Sequence, residues 1–246
     1  MYSSSLRARR GREMRFAFSI CALLLALACG RKSVDENQGA AAASQPAASQ
    51  PVSETGEPQR PRVVILGDSL TAGLGLLESQ SFPAVLQQKI DADGYKFEVL
   101  NAGVSGDTSA GGLRRLDWAL AGDVKVLVVA LGANDGLRGL SVAEMKNNLG
   151  EIIQRAKERG VLCILAGMEA PPNFGPEYTA AFRQAYRDVA RENRVLFLPF
   201  LLDKVAGQAD LNQADGIHPN TRGAAIVADS VWGVLRPVLD QMSATQ

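Results

Sequence analysis

Five short apolar runs, Val63 to Leu66, Phe97 to Leu100, Val126 to Leu131, Val161 to Ala166 and Val195 to Leu198, alternate with longer stretches of helical period. The runs are apolar at every position instead of alternating with polar residues, which suits strands buried on both faces of a parallel sheet. Between the third and fourth runs, Ser141 followed by Glu144 forms a capping-box pattern. Val142, Met145, Leu149, Ile152 and Ala156 then recur at helical spacing until Gly160 stops the helix. Near the C-terminus Thr221 is placed to cap a last helix with apolar positions Ile226, Val227, Val231, Val234, Leu235 and Val238. Strand and helix in alternation predict an α/β domain over residues 61–246, with helices on both sides of the sheet. Trp118 and Trp232 read as packing residues.

The first sixty residues follow a different pattern. Arg7, Arg9, Arg10, Arg12 and Arg15 precede an apolar run from Phe16 to Ala28, the order of a signal peptide over residues 1–29, with Met14 as a second available start. The run is about thirteen residues long, short of the roughly 20 that a spanning helix needs. Cys29 directly after Ala26-Leu27-Ala28 has the look of a lipoprotein cleavage site, and its acylation would attach the protein to a membrane by acyl chains. Plain cleavage near Ala28 is the alternative. Either outcome predicts an exported protein, periplasmic or lipid-anchored. Residues 30–60 are rich in Ala, Ser, Gln, Pro, Glu and Gly and lack Leu, Ile and aromatic residues, so they cannot bury enough apolar surface to offset their ordering entropy. A disordered tether is expected there.

Charge narrows the partners. Lys and Arg number 26 and so do Asp and Glu, which leaves no net field to favour nucleic acid. Cys163 is alone in the domain, inside an apolar run, so no internal disulfide forms and the thiol is expected to be buried and inert.

The candidate chemistry collects just after the apolar runs. Gly67-Asp68-Ser69-Leu70 turns directly out of the first run, placing Ser69 at the carboxyl end of a strand, the edge where ligands bind in open parallel sheets. A serine hydroxyl needs a base, and the chain contains one histidine. His218 lies in Asp215-Gly216-Ile217-His218-Pro219, where a carboxylate three residues earlier across a glycine turn can reach Nδ1 and fix the ring. One histidine excludes a histidine-rich metal site. Donors for a developing oxyanion are available after the second run, in Asn101 to Thr108 with Gly106 N–H the choice, and after the third, in Gly132-Ala133-Asn134-Asp135 with the Asn134 amide. Each of these stretches is also readable as a plain turn.

Taken together, Gly67-Asp68-Ser69-Leu70, Gly106, Gly132-Ala133-Asn134-Asp135 and Asp215-Gly216-Ile217-His218-Pro219 resemble, in order, the four blocks of the SGNH (GDSL) hydrolases. The resemblance runs from Arg62 to about Val238. It is nearest the bacterial periplasmic branch of acyl-CoA thioesterases, lysophospholipases and arylesterases, whose pattern includes Asp135-Gly136-Leu137-Arg138-Gly139. The lipoprotein-like leader and long tether are less typical of that branch. The resemblance implies a flavodoxin-like three-layer α/β/α sandwich with five parallel strands ordered 2-1-3-4-5, and no cofactor or metal. It implies Ser69 as nucleophile, His218 as base and Asp215 as its orienting partner, with Ser69 N–H, Gly106 N–H and Asn134 as the oxyanion hole. Asp68 and Asp135 would brace loops. The substrates implied are small esters, thioesters or lysophospholipids, with Leu74, Leu76, Leu77 and Phe174 as candidates to line an acyl groove. A carbohydrate O-acetyl esterase and a noncatalytic binding domain are the competing readings.

Overall fold

The computed structural model describes residues 60–244; the expected signal peptide, Cys29 and all but the last residue of the expected tether lie outside them. In chain order the elements are β1 (Arg62–Gly67), α1 (Ser69–Ala72), α2 (Phe82–Ala92), β2 (Glu98–Gly103), α3 (Ser109–Arg114), α4 (Leu116–Ala119), β3 (Val124–Ala130) and α5 (Ala133–Leu137). They continue with α6 (Val142–Glu158), β4 (Leu162–Ala166), α7 (Pro176–Asn193), β5 (Leu196–Leu198) and α8 (Thr221–Ser243). The strands form one parallel sheet in the order β2-β1-β3-β4-β5, as expected.

Burial follows position in the sheet. Val63 to Leu66, Val126 to Leu131 and Cys163 to Ala166 are buried on both faces, the interior-strand pattern read from their unbroken apolar runs. β2 and β5 are the edges and are only half-buried. β2 begins one residue later than its apolar run and continues through Asn101, Ala102 and Gly103, because register with β1 holds the backbone extended to the level of Gly67.

Parallel connections are right-handed, so a crossover moving from β1 to β2 and those moving from β3 towards β5 place their helices on opposite faces. α2 accordingly packs with α8 on one side, and α3, α6 and α7 pack together on the other. Ser141 caps α6 by accepting from Glu144 N–H at 3.3 Å, and Met145, Leu149, Ile152 and Ala156 turn inward. The cap of α8 differs from the expectation. Asn220, not Thr221, is the N-cap, its side chain accepting from Arg222 N–H and Gly223 N–H at 3.0 and 3.1 Å, and Thr221 is the first helical residue. Trp232 packs edge-on against Tyr95 at 5.9 Å, whereas Trp118, on the four-residue α4, is 62% exposed and is no core residue. α4 is a single turn that directs Leu116 and Ala119 into the core and leaves Trp118 on its outer side. Cys163 is buried, and desolvation pushes its thiol up to about 12, which keeps it in the unreactive form.

Because β2 and β3 flank β1, the chain reverses direction across the sheet at β1/β3. The carboxyl end of that switch is where a cleft opens.

Candidate active site

Ser69 is held by the sharp exit from β1. A Cβ on Gly67 would stand 1.9 Å from Thr71 Oγ1 and 3.0 Å from the Ala130 carbonyl, so only glycine lets the strand turn this tightly into α1. Asp68, 1% exposed, caps that turn by accepting from Leu70 N–H at 3.0 Å, and burial pushes its carboxyl up to about 6. Ser69 follows as the first helical residue, its Oγ 2.9 Å from His218 Nε2.

The histidine comes from the loop between β5 and α8. Asp215 Oδ2 lies 2.7 Å from His218 Nδ1, while Oδ1 accepts from Ile217 N–H and His218 N–H at 2.9 and 3.0 Å. Gly216, with φ of 71°, supplies the left-handed turn that folds these groups back on one another. The backbone and ring hydrogen bonds from His218, followed by that from Ile217, hold the Asp215 carboxyl down at about 2. An ionised carboxylate only accepts, so Nδ1 carries the proton and Nε2 faces Ser69 with a lone pair. A hydroxyl, an imidazole and a carboxylate thus lie in one hydrogen-bonded line, the arrangement that a nucleophile, its base and an orienting group require.

The remaining predicted groups border this line. Asn134 lies in α5 after β3, and its Nδ2 donates to the Asp107 carbonyl at 2.9 Å and to Asp68 Oδ2 at 3.3 Å. Gly106 sits in the turn after β2, its carbonyl accepting from Arg138 Nη2 at 2.9 Å. Asp135 is buried and accepts from Ser109 N–H and Ser109 Oγ at 2.8 and 2.6 Å, tying the loop after β3 to α3. Asp68 and Asp135 both act as braces in this geometry.

Ser69, Asn134 and His218 share the wall of a cavity of about 480 Å³, with Leu70, Leu137, Met168 and Phe200 among its apolar lining. Gly106 and Asp215 do not line it. A second cavity on the other side of Ser69 and His218, lined in part by Leu74, Leu76 and Phe82, holds only about 10 Å³, room for about one water. Leu77 and Phe174 line neither, so of the four candidate groove residues only Leu74 and Leu76 border a cavity at Ser69.

Two positioning residues are invisible in the sequence pattern. Arg115 donates to the Gly67 and Ala102 carbonyls at 2.7 Å each and to Asp107 Oδ2 at 2.6 Å, clamping the ends of β1 and β2 together. Gln213 Nε2 donates to the Leu74 and Pro219 carbonyls at 2.7 and 3.0 Å, joining the loop of Ser69 to that of His218. Apart from Asp107, their partners are backbone carbonyls, which leave no signature in residue spacing.

A family model described as GDSL-like lipase/acylhydrolase matches residues 65–226. The chain is 43% identical over 178 residues, 72% of its length and 89% of the relative's, to Esterase TesA of Pseudomonas aeruginosa. It is 37% identical over 182 residues, 74% of its length and 86% of the relative's, to Thioesterase 1/protease 1/lysophospholipase L1 of Escherichia coli. The crystal structure of a psychrotrophic esterase EstA from Pseudoalteromonas sp., inhibited by monoethylphosphonate, superposes with a TM-score of 0.70 at 33% identity, covering 73% of this chain and 98% of that one.

Proposed function

The chain belongs to the GDSL-like lipase/acylhydrolase family, and we propose that Ser69, His218 and Asp215 form the catalytic triad of its ester and thioester hydrolysis. It is a serine hydrolase of that family, with named esterase and thioesterase relatives. The observation that carries the residue assignment is the relay of 2.9 and 2.7 Å from Ser69 through His218 to Asp215, opening on a mainly apolar cavity.

In the proposed reaction Ser69 Oγ attacks the acyl carbonyl while His218 Nε2 takes its proton. The tetrahedral intermediate collapses, His218 returns the proton to the departing alcohol or thiol, and the acyl group remains on Ser69. Water, deprotonated by His218, then attacks the acyl-enzyme, releasing the carboxylic acid and regenerating Ser69. Asp215 holds the imidazole in the required tautomer throughout. Ser69 N–H, Gly106 N–H and the Asn134 amide are the proposed oxyanion donors. Both Nδ2 hydrogens of Asn134 are engaged, so stabilising the oxyanion means exchanging one bond, and the 3.3 Å contact to Asp68 is the weaker of the two.

A cavity of about 480 Å³ with a largely aliphatic lining suits an acyl chain, and lysophospholipids fall within the proposed substrates. Phe200 is its one aromatic lining residue, which gives a sugar ring little to stack on, so the acyl-chain reading is preferred to a carbohydrate O-acetyl esterase. We further propose export, with Cys29 as lipid anchor, on the strength of the basic-then-apolar leader ending in Ala-Leu-Ala-Cys.

Hydrolysis of p-nitrophenyl esters of graded acyl length tests the triad. Ser69→Ala and His218→Ala are each expected to lower kcat by about a thousandfold or more while leaving the melting temperature unchanged. Undiminished turnover in either variant would remove that residue from the mechanism. Absence of turnover by the parent at every length would redirect the substrate assignment to sugar acetates.

A further inference from the structure

Of the nine large apolar side chains exposed among the described residues, seven stand at the carboxyl end of the sheet, on the loops that surround Ser69; Trp118 and Leu196 are the two elsewhere. Three of the seven have an evident use, since Leu74, Leu137 and Ile217 line the two cavities at the nucleophile. The other four, Leu77, Val104, Leu140 and Phe174, line neither cavity. The two cavities therefore account for the inner ring of apolar residues and leave the outer ring, contributed by the loops after β1, β2, β3 and β4, facing outward, with Phe174 steadied from behind by Tyr178 at 5.3 Å. The two rings adjoin, for the Phe174 ring lies against Gly139, two residues beyond the cavity-lining Leu137.

We propose that this outer ring docks the active-site face on the surface of an aggregated neutral or zwitterionic amphiphile, a micelle or bilayer, so that an acyl chain passes from lipid into the cavity without crossing water. The proposal rests on the ester hydrolase reading and extends it to the physical state of the substrate. An apolar rim continuous with an apolar cavity offers such a chain an unbroken path, and exposed apolar groups grouped around a site mark contact surfaces. Charge on the same loops selects the kind of surface. Asp107 is paired with Arg115 at 2.6 Å and Glu169 with Arg183 at 3.0 Å. Exposed Arg138 and Lys204 are outnumbered by exposed Glu78, Glu177 and Asp203. The rim thus has no excess of cations to draw it to anionic lipid. Chain length permits the orientation. β1 begins at the opposite end of the sheet from Ser69, roughly 20 Å away. The thirty residues from 30 to 59 span at most about 100 Å when extended, enough for the rim to turn toward a membrane that holds Cys29.

The test uses the exported protein with Cys29→Ser in every sample, so that no acyl anchor contributes, and compares it with a triple variant adding Leu77→Ser, Val104→Ser and Leu140→Ser. The measurements are co-sedimentation with phosphatidylcholine vesicles, hydrolysis of micellar lysophosphatidylcholine, and hydrolysis of monomeric p-nitrophenyl acetate. The parent is expected to bind the vesicles, and the triple variant to bind them and hydrolyse the micelles at least about tenfold less well, because each side chain removed from the interface forfeits apolar burial. Turnover of monomeric ester should be unchanged within about twofold, because none of the three lines a cavity at Ser69. Equal vesicle binding by parent and variant, binding only to phosphatidylserine vesicles, or a parent dimer in sedimentation velocity that the triple variant abolishes would each overturn the proposal. Those outcomes would leave the hydrolase reading intact, since that reading stands or falls on the monomeric ester and Ser69→Ala.

Discussion

The loops that carry Ser69 and His218 each contain an aspartate next to the reacting groups, and the two aspartates are perturbed in opposite directions. Asp68 is buried under the turn out of β1, and desolvation raises its carboxyl to about 6. Asp215 is half-exposed in the loop before α8, and three hydrogen bonds from Ile217 and His218 lower it to about 2. The nucleophile loop is thus positioned by packing, with a glycine where any Cβ would collide and a carboxyl kept out of water. The histidine loop is positioned by hydrogen bonds made at the surface. Packing is shared with the core, so damage to the first loop should be felt by the whole fold. Surface hydrogen bonds are local, so damage to the second should be felt by catalysis alone.

Asp215→Asn breaks the comparison hardest. The amide can present its NH₂ or its carbonyl to Nδ1, but it cannot hold the ring as a carboxylate does, and it stabilises no imidazolium. A fall in kcat of about a thousandfold is expected, with KM for p-nitrophenyl esters little altered and the melting temperature unchanged at pH 7. A comparable loss of stability would show that the histidine loop is coupled to the core after all.

Asp68→Asn sharpens the contrast through pH. A carboxyl at about 6 in the folded state and 3.8 in the unfolded chain holds its proton in the native protein where the unfolded chain has released it. Stability must therefore decline as pH rises from about 4 to about 6, by up to about 3 kcal/mol from this group, and change little from it above that. The asparagine can still accept from Leu70 N–H and caps a helix well, so the variant should unfold in urea with a midpoint that lacks this slope. Asp215 has the reverse sign, any support from its depressed carboxyl being lost as pH falls through about 2, and at the surface, screened by solvent, that support is small enough to leave the melting temperature at pH 7 unmoved. Parallel midpoint curves for parent and Asp68→Asn between pH 4 and 7 would refute the burial account of the nucleophile loop.

The same division explains what the sequence revealed. Strands β1, β3 and β4 were legible because burial on both faces demands an unbroken apolar run, and the two loops were legible because tight turns beside a nucleophile need Gly, Asp, Ser and His at fixed local offsets. Features decided by a neighbour were not. The half-buried edge strand β2 outran its apolar run because pairing with β1 set its end. Trp118 was misassigned because α4 is a single turn whose inward side is taken by Leu116 and Ala119. Asn220 and Thr221 are both competent caps, and the choice fell to the loop, where Asn220 Nδ2 also donates to the Asp210 carbonyl at 2.9 Å. Arg115 reads as one more surface cation until the carbonyls of Gly67 and Ala102 converge on it.

Beside the Ser69–His218 contact itself, Gln213 spans both regions, and removing it gives the smallest and most discriminating effect. Its amide reaches the Leu74 carbonyl in the nucleophile loop and the Pro219 carbonyl beside His218, while its backbone N–H donates to the His218 carbonyl at 2.8 Å. Gln213→Ala keeps the backbone bond and deletes both side-chain bonds, leaving two carbonyls that water can reach because the site is partly exposed. A net loss of about 1 kcal/mol is expected for such bonds. If that loss falls on the relative placement of the two loops, kcat for p-nitrophenyl esters drops about three- to tenfold with the melting temperature held within a few degrees, since small displacements of a base from its nucleophile are costly. If it falls on folding instead, the melting temperature drops and kcat per folded molecule is preserved, and the two loops would have to be regarded as a single packed unit.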